Sequence, residues 1–226
     1  MKNKSAGLII IGLLLIAAAF LLTAYNMREE TQAKESAMEA LTRLEEMFEE
    51  TFPGTEVTKG TTLQEKTNVP GGEIEIPDYI LNPDMEMPVK TVNDNDYIGI
   101  LSIPALELEL PIISQWSYPR LKISPCRYTG SAYTNNLIIA AHNYKSHFRK
   151  LKHLHAGDIV TFMDMDRNVF HYEVVESEIL KPTTIDKMES GDWDLTLFTC
   201  TIGGRSRVVV RCKLVEELSP YSKNQT

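Results

Sequence analysis

Three residues in the second half of the chain have the types and positions that nucleophilic catalysis requires. Cys200 ends an apolar segment, LTLFTC, just before Gly203 and Gly204, so its thiol is expected at an accessible strand end. A cysteine thiol is mostly protonated at neutral pH and needs a base or a cationic neighbour to become a nucleophile. His142 ends another apolar segment and is the candidate base. Arg207 carries a fixed charge and a fork of donors that could stabilise an oxyanion formed from a peptide carbonyl.

Other residues of the same types provide the alternatives. Arg211 follows Arg207 on the same predicted strand at an even spacing, which places both side chains on one face and makes Arg211 the second candidate for the oxyanion. Arg205 falls in the glycine-rich loop. The remaining histidines lie in a polar helix or a hairpin strand, and none ends a strand beside a motif; they are His147, His153, His155 and His171.

The other cysteines and the scattered acids suggest structural roles. Free cysteine is more often a small buried hydrophobe than a nucleophile, so Cys126 and Cys212 are expected to be structural thiols, with a disulfide between them as a minor alternative. The acids considered as metal ligands stand in turns or alternating contexts and are expected on solvated faces; they are Glu107, Glu109, Asp164 and Asp166. We therefore expect no metal and no cofactor.

Short apolar segments separated by polar residues must position the three candidate residues. Strands are predicted over residues 97–103, 108–113, 137–141, 158–163, 169–175, 195–200 and 207–215. Residues 164–168 favour a turn, which predicts a hairpin of the strands on either side of them. A short helix is predicted over residues 145–154. Many short strands with few helices favour a closed β-barrel or a sandwich.

The N-terminal part has a different composition. Residues 6–25 form an uncharged apolar run of the length that a membrane-spanning helix needs. Lys2 and Lys4 precede the run, which predicts a cytoplasmic terminus at residues 1–5 and an external remainder. A cleaved secretory signal is the alternative, although its apolar core would be shorter and its cleavage site stronger.

Two segments connect this run to the strand-rich part. Residues 26–52 predict an amphipathic stalk helix, whose apolar face comprises Met38, Leu41, Leu44, Phe48 and Phe52. Residues 53–94 are rich in proline and glycine and predict a linker, with a lid over the catalytic cleft as the alternative. The catalytic domain is then expected at residues 95–217 and a tail at 218–226. The net charge of −8 argues against nucleic acid as a partner.

Four motifs in the strand-rich part resemble those of the sortases, in the order that the family has them. Residues 97–113 (YIGILSIPALELELPII) resemble the first strands, and 138–143 (IIAAHN) resemble the strand end that presents the histidine. Residues 196–200 (TLFTC) fit the TLxTC signature, and 206–212 (SRVVVRC) resemble the arginine strand. Ala141 departs from the glycine that many sortases have before the histidine, and the calcium-binding acids of some class A members have no clear match.

The resemblance implies a closed sortase-type β-barrel of about eight strands with short helical connections, plus the N-terminal transmembrane helix. It implies a cysteine transpeptidase that cleaves LPxTG-like sorting signals, with Cys200, His142 and Arg207 as catalytic residues and Thr199 as a candidate for substrate contact. The expected partners are surface proteins or pilins that carry a sorting signal, and an amine acceptor, either a lipid-linked cell-wall precursor or a pilin lysine. The expected location is the outer face of the cell membrane of a Gram-positive-type cell.

The subclass and the acceptor remain open at this point. The stretch between Leu180 and Leu195 is too short for the long helix typical of class B, and no second membrane helix follows Val215 as is common in class C. A class D-like or unassigned clostridial-type sortase is therefore expected. The alternatives are a cysteine hydrolase on the same fold and a non-catalytic membrane-anchored surface or pilus-assembly protein.

Overall fold

A computed structural model describes residues 2–51, 76–201 and 203–215. Its first element is one unbroken helix, α1 (Lys2–Thr51), which joins the predicted membrane run to the predicted stalk. The helix is long and apolar enough to cross a membrane, and its large apolar side chains between Leu8 and Leu22 are exposed. The sequence has no helix-breaking residue between Tyr25 and Glu30, which explains why the two predicted segments form a single helix.

Nine strands form one sheet, and eight of them close into a barrel. Their bounds are β1 (Lys90–Val92), β2 (Asn95–Ile103), β3 (Leu108–Ile113), β4 (Cys126–Thr129), β5 (Leu137–Ala141), β6 (Ile159–Asp164), β7 (Val169–Leu180), β8 (Leu195–Cys200) and β9 (Arg207–Leu214). The order is β2-β3-β4-β5-β8-β9-β7-β6, and β6 pairs back with β2. β1 extends the sheet beside the first residues of β2. The expected closed barrel of about eight strands is confirmed.

The strand pairings define two ends of the barrel. β2, β5, β7 and β8 run in one direction, and the other strands of the barrel run in the opposite direction. The end at which β2, β5, β7 and β8 finish is called the upper end here. The turn between β6 and β7 and the connection between β4 and β5 lie at the lower end.

Side chains alternate between the inside and the outside of the barrel, as strand geometry requires. On β8 and β9 the inner cluster includes Leu195, Leu197, Val208 and Val210. The outer cluster includes Phe198 and Val209 from the same two strands, together with residues of α1. β8 is buried on both faces, which explains its nearly continuous apolar sequence.

The second half of α1 packs against the outside of the barrel, beside β1 and β3. Its buried residues are Ala33, Ala37, Ala40, Leu44 and Phe48. The predicted apolar face is therefore right for Leu44 and Phe48 and partly right for Leu41, which packs at the edge of the outer cluster. Met38 is 56% exposed, and alanines occupy the contact face where the helix and the barrel lie closest. Phe52 lies outside the described residues.

Several short elements differ from the sequence prediction. The described part of the predicted linker contains a helix, α2 (Asp78–Leu81), and strand β1. Within α2, Tyr79 stacks on Tyr133 at a centroid distance of 4.7 Å, at the lower end of the barrel. β4 was also missed. The helix predicted at residues 145–154 is a 3-10 helix over Phe148–His153. Two further short helices are α3 (Tyr118–Leu121) and α4 (Ile185–Glu189).

Candidate active site

The pairing of β8 with β9 places Cys200 directly opposite Arg207. Both residues lie in the outward-facing series of their strands, because Phe198 and Val209, two residues away along each strand, belong to the outer cluster. Directly opposed residues of an antiparallel pair have their Cβ atoms about 4.5–5.5 Å apart. The thiol and the guanidinium therefore start from neighbouring positions on the same face of the barrel.

The parallel pairing of β5 with β8 brings His142 to the same place. Ala141 pairs with Thr199, so the residues that follow them, His142 after β5 and Cys200 on β8, lie side by side in the same register. Ala141 is part of the inner cluster, so alternation turns His142 outward, as it does Cys200. Three separate strand ends thus converge at the upper end of the barrel.

Cys200 differs from the other cysteines in its surroundings. All three are free thiols, and Cys200 alone of them is partly exposed. Burial raises the pKa of Cys126 and of Cys212 to about 12, which keeps both thiols protonated. Cys126 belongs to the outer cluster and Cys212 to the inner one, so the two occupy opposite sides of the barrel wall, and no disulfide joins them.

His142 is half-buried beneath the start of the stalk part of α1. Burial lowers its pKa, the positive charge of Lys122 lowers it further, and the negative charge of Glu29 opposes both effects. The His142 Nε2 atom has no hydrogen-bond partner among the described residues. Its ring lies 5.0 Å from that of Tyr144. The imidazole thus packs against Tyr144, and because its unpaired Nε2 atom is buried, proton exchange at this nitrogen requires a reacting group to move next to it.

The loop between Cys200 and Arg207 is a tight turn. The Gly204 N–H donates to the Thr201 carbonyl at 2.8 Å, and the Thr201 N–H donates to the Ser206 carbonyl at 2.9 Å. Gly203 and Gly204 have φ values of 83° and 69°, a region that glycine adopts without strain. Arg207 Nη1 donates to the carbonyls of Gly204 and Ser206, both at 3.3 Å. Its remaining donors can therefore turn toward a substrate.

Arg211 is on the same face as Arg207, as the spacing predicted, but it is 2% exposed. It pairs in register with Thr196, four residues before Cys200, which is about 13 Å along the strand. Its Nη1 donates to the Met188 carbonyl at 2.8 Å and to Thr196 Oγ1 at 3.0 Å. Its Nη2 donates to the Lys187 carbonyl and to Glu178 Oε1. Arg211 thus fastens α4 to the outside of the barrel.

Thr199 and Asp164 are also more buried than their sequence contexts indicated. Thr199 Oγ1 donates to the Ala141 carbonyl at 2.8 Å, inside the barrel wall. This bond joins β5 to β8 beside the site, and a contact of Thr199 with substrate stays a prediction. Asp164 was expected on a solvated face, and that expectation is wrong. Its carboxylate is fully buried and accepts from Tyr133 and from the turn at Asp166 and Asn168.

Helix α1 borders the site, a feature that the sequence did not reveal. Glu29 accepts from Lys122 Nζ at 2.6 Å, and Glu30 accepts from the Lys145 N–H at 2.5 Å. Glu30 also pairs with Arg149 at 3.4 Å. The partners are about a hundred residues apart in the chain. Two acidic residues after an apolar segment give the same sequence pattern whether they are solvated or form ion pairs, so the sequence could not predict these contacts.

A cavity of about 260 Å³ opens where α1 meets the loops of the upper end. Its lining comes from α1, from the residues after β5 and from the residues after β8; it consists of Asn26, Glu29, Glu30, Asn143, Tyr144, Arg149, Thr201 and Gly203. Asn143 follows His142 and Thr201 follows Cys200, so this cavity adjoins the candidate catalytic residues.

The closed barrel brings the candidate cysteine, histidine and arginine to one end, and sequence comparison identifies the family. Residues 101–215 match the family model of the sortase domain. This match covers half of the chain, and the chain belongs to the sortase family. No curated protein was found to match it.

Solved sortase structures resemble the chain at low identity. Sortase A from Corynebacterium diphtheriae is 23% identical, with 56% of this chain and 64% of that chain covered and a TM-score of 0.49. A Clostridium perfringens sortase D5 transpeptidase is 22% identical, with 61% and 94% covered and a TM-score of 0.49. Clostridium perfringens sortase C with its C-terminal cell wall sorting motif is 25% identical, with 63% and 78% covered and a TM-score of 0.48. The chain thus spans less than two thirds of the Corynebacterium protein.

Proposed function

We propose that this protein is a sortase transpeptidase. It cleaves an LPxTG-like sorting signal through a thioester at Cys200 and transfers the cleaved protein to an amine. The observation that carries the proposal is the strand register, which brings Cys200, Arg207 and the residue after Ala141 to one end of the barrel. Membership of the sortase family supports the same chemistry.

Each residue has one task in this reaction. His142 accepts the thiol proton, and the Cys200 thiolate attacks the threonine carbonyl carbon, while Arg207 donates hydrogen bonds to the oxyanion. As the threonine–glycine bond breaks, His142 returns its proton to the leaving amine, and a thioester remains. The acceptor amine then attacks the thioester and gives a proton to His142, which releases the new amide and the thiolate.

The partners follow from this reaction and from α1. The donor is a surface protein or pilin with a sorting signal, and the acceptor is a lipid-linked cell-wall precursor or a pilin lysine. Residues 6–25 anchor the enzyme in the cell membrane, with residues 1–5 in the cytoplasm and the barrel outside. The apolar helix supports the anchoring, and the lysines before it support the orientation.

The subclass proposed is class D-like or unassigned clostridial-type. α4 supports this assignment because it has only five residues, where class B sortases have a long helix. A hydrolase would use the same three residues, so the reaction product must distinguish the two activities.

The test uses the full chain in detergent, a library of sorting-signal peptides and several amines, including a glycine peptide and a pilin-type lysine peptide. We expect cleavage that depends on Cys200, an acyl adduct on Cys200 by mass spectrometry, and a product joined to one of the amines. Cys126→Ala and Cys212→Ala serve as matched controls and should keep most of the activity. Full activity in Cys200→Ala would overturn the mechanism, and hydrolysis without transfer would establish the hydrolase.

A further inference from the structure

The contacts of α1 fix the direction in which the barrel faces. Near the start of its stalk part, Glu29 binds Lys122 and Glu30 binds Lys145 and Arg149, all close to His142 at the upper end. Ten residues later, Glu39 accepts from Asn93 at 3.1 Å. Asn93 lies in the turn before β2, at the lower end. The helix therefore runs down the barrel from the upper end to the lower end.

This direction brings the upper end close to the membrane segment. The apolar run ends at Tyr25, and Glu29 follows four residues later in the same unbroken helix. At about 1.5 Å of rise per residue, Tyr25 and Glu29 are about 6 Å apart along the axis. The lower end lies on the other side of the barrel, away from the apolar run.

Two loops at the upper end, those that follow β5 and β8, carry a charge opposite to that of the whole chain. Residues 142–155 and 201–207 contain no Asp or Glu. Their Lys and Arg residues are Lys145, Arg149, Lys150, Lys152, Arg205 and Arg207. The chain as a whole has a net charge of −8. Arg149 pairs with Glu30, whereas Lys145, Lys150, Lys152 and Arg205 have exposed side chains. Acids also stand at this end; they are Glu29 and Glu30 on α1, Glu107 and Asp158 in the neighbouring turns, and Asp186 and Glu189 in the connection that follows β7.

We propose that the upper end of the barrel is a membrane-contacting surface, on which Lys145, Lys150, Lys152 and Arg205 bind anionic lipid headgroups. The inference rests on the anchoring proposed above and is independent of the transfer reaction. Clusters of basic residues beside a membrane helix are attracted to anionic headgroups, and α1 supplies the required proximity. The candidate nucleophile then lies at the end of the barrel nearer the bilayer, so an acceptor held at the bilayer surface reaches it without leaving the membrane.

The orientation can be measured on the full chain in lipid nanodiscs. In a Cys200→Ala background, Lys152→Cys places a fluorophore at the upper end and Asp166→Cys places one at the lower end; both positions are exposed, while Cys126 and Cys212 are buried. Energy transfer to a headgroup-linked acceptor dye reports the height of each probe above the bilayer. Strand β6 separates the two ends by about 20 Å at about 3.3 Å per residue.

We expect strong transfer from position 152 and several-fold weaker transfer from position 166. Equal transfer, or stronger transfer from position 166, would overturn the orientation. Co-migration of the chain with the nanodiscs tests the anchoring separately, so a failure of the anchoring is distinguishable from a barrel that faces the other way.

The headgroup contact has its own test. Transfer from position 152 should be higher in nanodiscs of phosphatidylglycerol than in those of phosphatidylcholine, and about 1 M salt, which shortens the Debye length to about 3 Å, should remove the difference. Lys150→Glu should reduce the difference, whereas Lys90→Glu, on β1 beside the lower end, should leave it unchanged. Identical transfer in both lipids at low salt would show that the basic surface binds no headgroups.

Discussion

Arg207 and Arg211 lie on one face of β9 but have different environments. Arg207 is half-buried opposite Cys200, and its side chain donates to two carbonyls of its own loop. Arg211 is buried and bonded to the main chain of α4 and to Thr196. The spacing alone could not separate them, because the register with β8 decides which arginine faces the thiol.

Substitution of Arg207 should therefore lower the acylation rate, whereas substitution of Arg211 should lower the stability of the fold. If Arg207 holds the oxyanion, Arg207→Ala should lower the acylation rate by about 100- to 1,000-fold and leave stability unchanged. Arg207→Lys should also be slow, because a compact ammonium cannot replace the planar fork. Acylation of one peptide, followed by mass spectrometry, measures these rates.

Arg211→Ala should instead destabilise the protein by about 2–4 kcal/mol, since it leaves buried carbonyl and hydroxyl groups without a partner. Thermal unfolding followed by circular dichroism measures this loss, and Arg207→Ala is the control. If the Arg211 variant were well folded and inactive while the Arg207 variant were near wild type, the two assignments would be reversed.

His142 owes its lowered pKa to burial and to Lys122, while Glu29 acts in the opposite direction. We expect its pKa to lie below the usual value of about 6.5. Lys122→Gln should raise the pKa because it removes a positive charge, and Glu29→Gln should lower it because it removes a negative one. Nuclear magnetic resonance titration of labelled histidine in the full chain measures all three values.

The opposite signs make this test specific, because both changes break the same ion pair. Shifts of the same sign would show that loss of the contact, and not charge, controls the imidazole. In the proposed reaction, the proton that His142 gives to the leaving amine comes from the Cys200 thiol, so the imidazole must be neutral before the reaction starts. A lowered pKa keeps it neutral at physiological pH, and the fraction of His142 that can accept the thiol proton should fall as the pH drops through its pKa.

At the scale of elements, the docking of α1 depends on small side chains. Ala33 and Ala40 are fully or almost fully buried between the helix and the barrel. Ala33→Leu and Ala40→Leu should each lower the free energy of unfolding by about 1–3 kcal/mol, because the larger side chain forces the helix away from the barrel. Lys34→Leu, on the exposed face of the same turn, should have little effect.

Hydrogen exchange measures this docking directly. Faster exchange is expected along the stalk part of α1 in the two buried variants and not in the Lys34 variant. If Ala33→Leu and Ala40→Leu changed neither the unfolding temperature nor the exchange rates, α1 would not pack on the barrel as described.

The sequence predicted the elements whose own residues carry a strong pattern. The apolar segments that became β5 and β8 end at the predicted residues, and those ends place His142 and Cys200. β4 was missed because CRYT has no clear alternation, and β1 was missed because it is only three residues long. The position of α1 over the site depends on contacts between distant residues such as Glu30 and Arg149, and no local pattern encodes these.

At the scale of the whole molecule, one helix serves two environments. Its first part exposes large apolar side chains such as Leu14 and Phe20, and contact of such surface with water is unfavourable. Its second part buries alanines against the barrel. The helix continues without interruption between the two parts.

The anchoring proposed for residues 6–25 predicts that the mature protein keeps its N-terminus and sediments with membranes after an alkaline wash. Because the lysines precede the run, protease added to intact cells should remove an epitope placed after Thr226 and spare one placed before Lys2. Leu14→Lys with Ile16→Lys should weaken insertion, since each charge costs about 2.5–3.5 kcal/mol at the centre of a span. The control, Leu14→Ala with Ile16→Ala, keeps the run uncharged and should still insert. N-terminal sequencing that begins after Tyr25 would instead identify a cleaved signal, and the barrel would then lose the tether that holds its upper end at the bilayer.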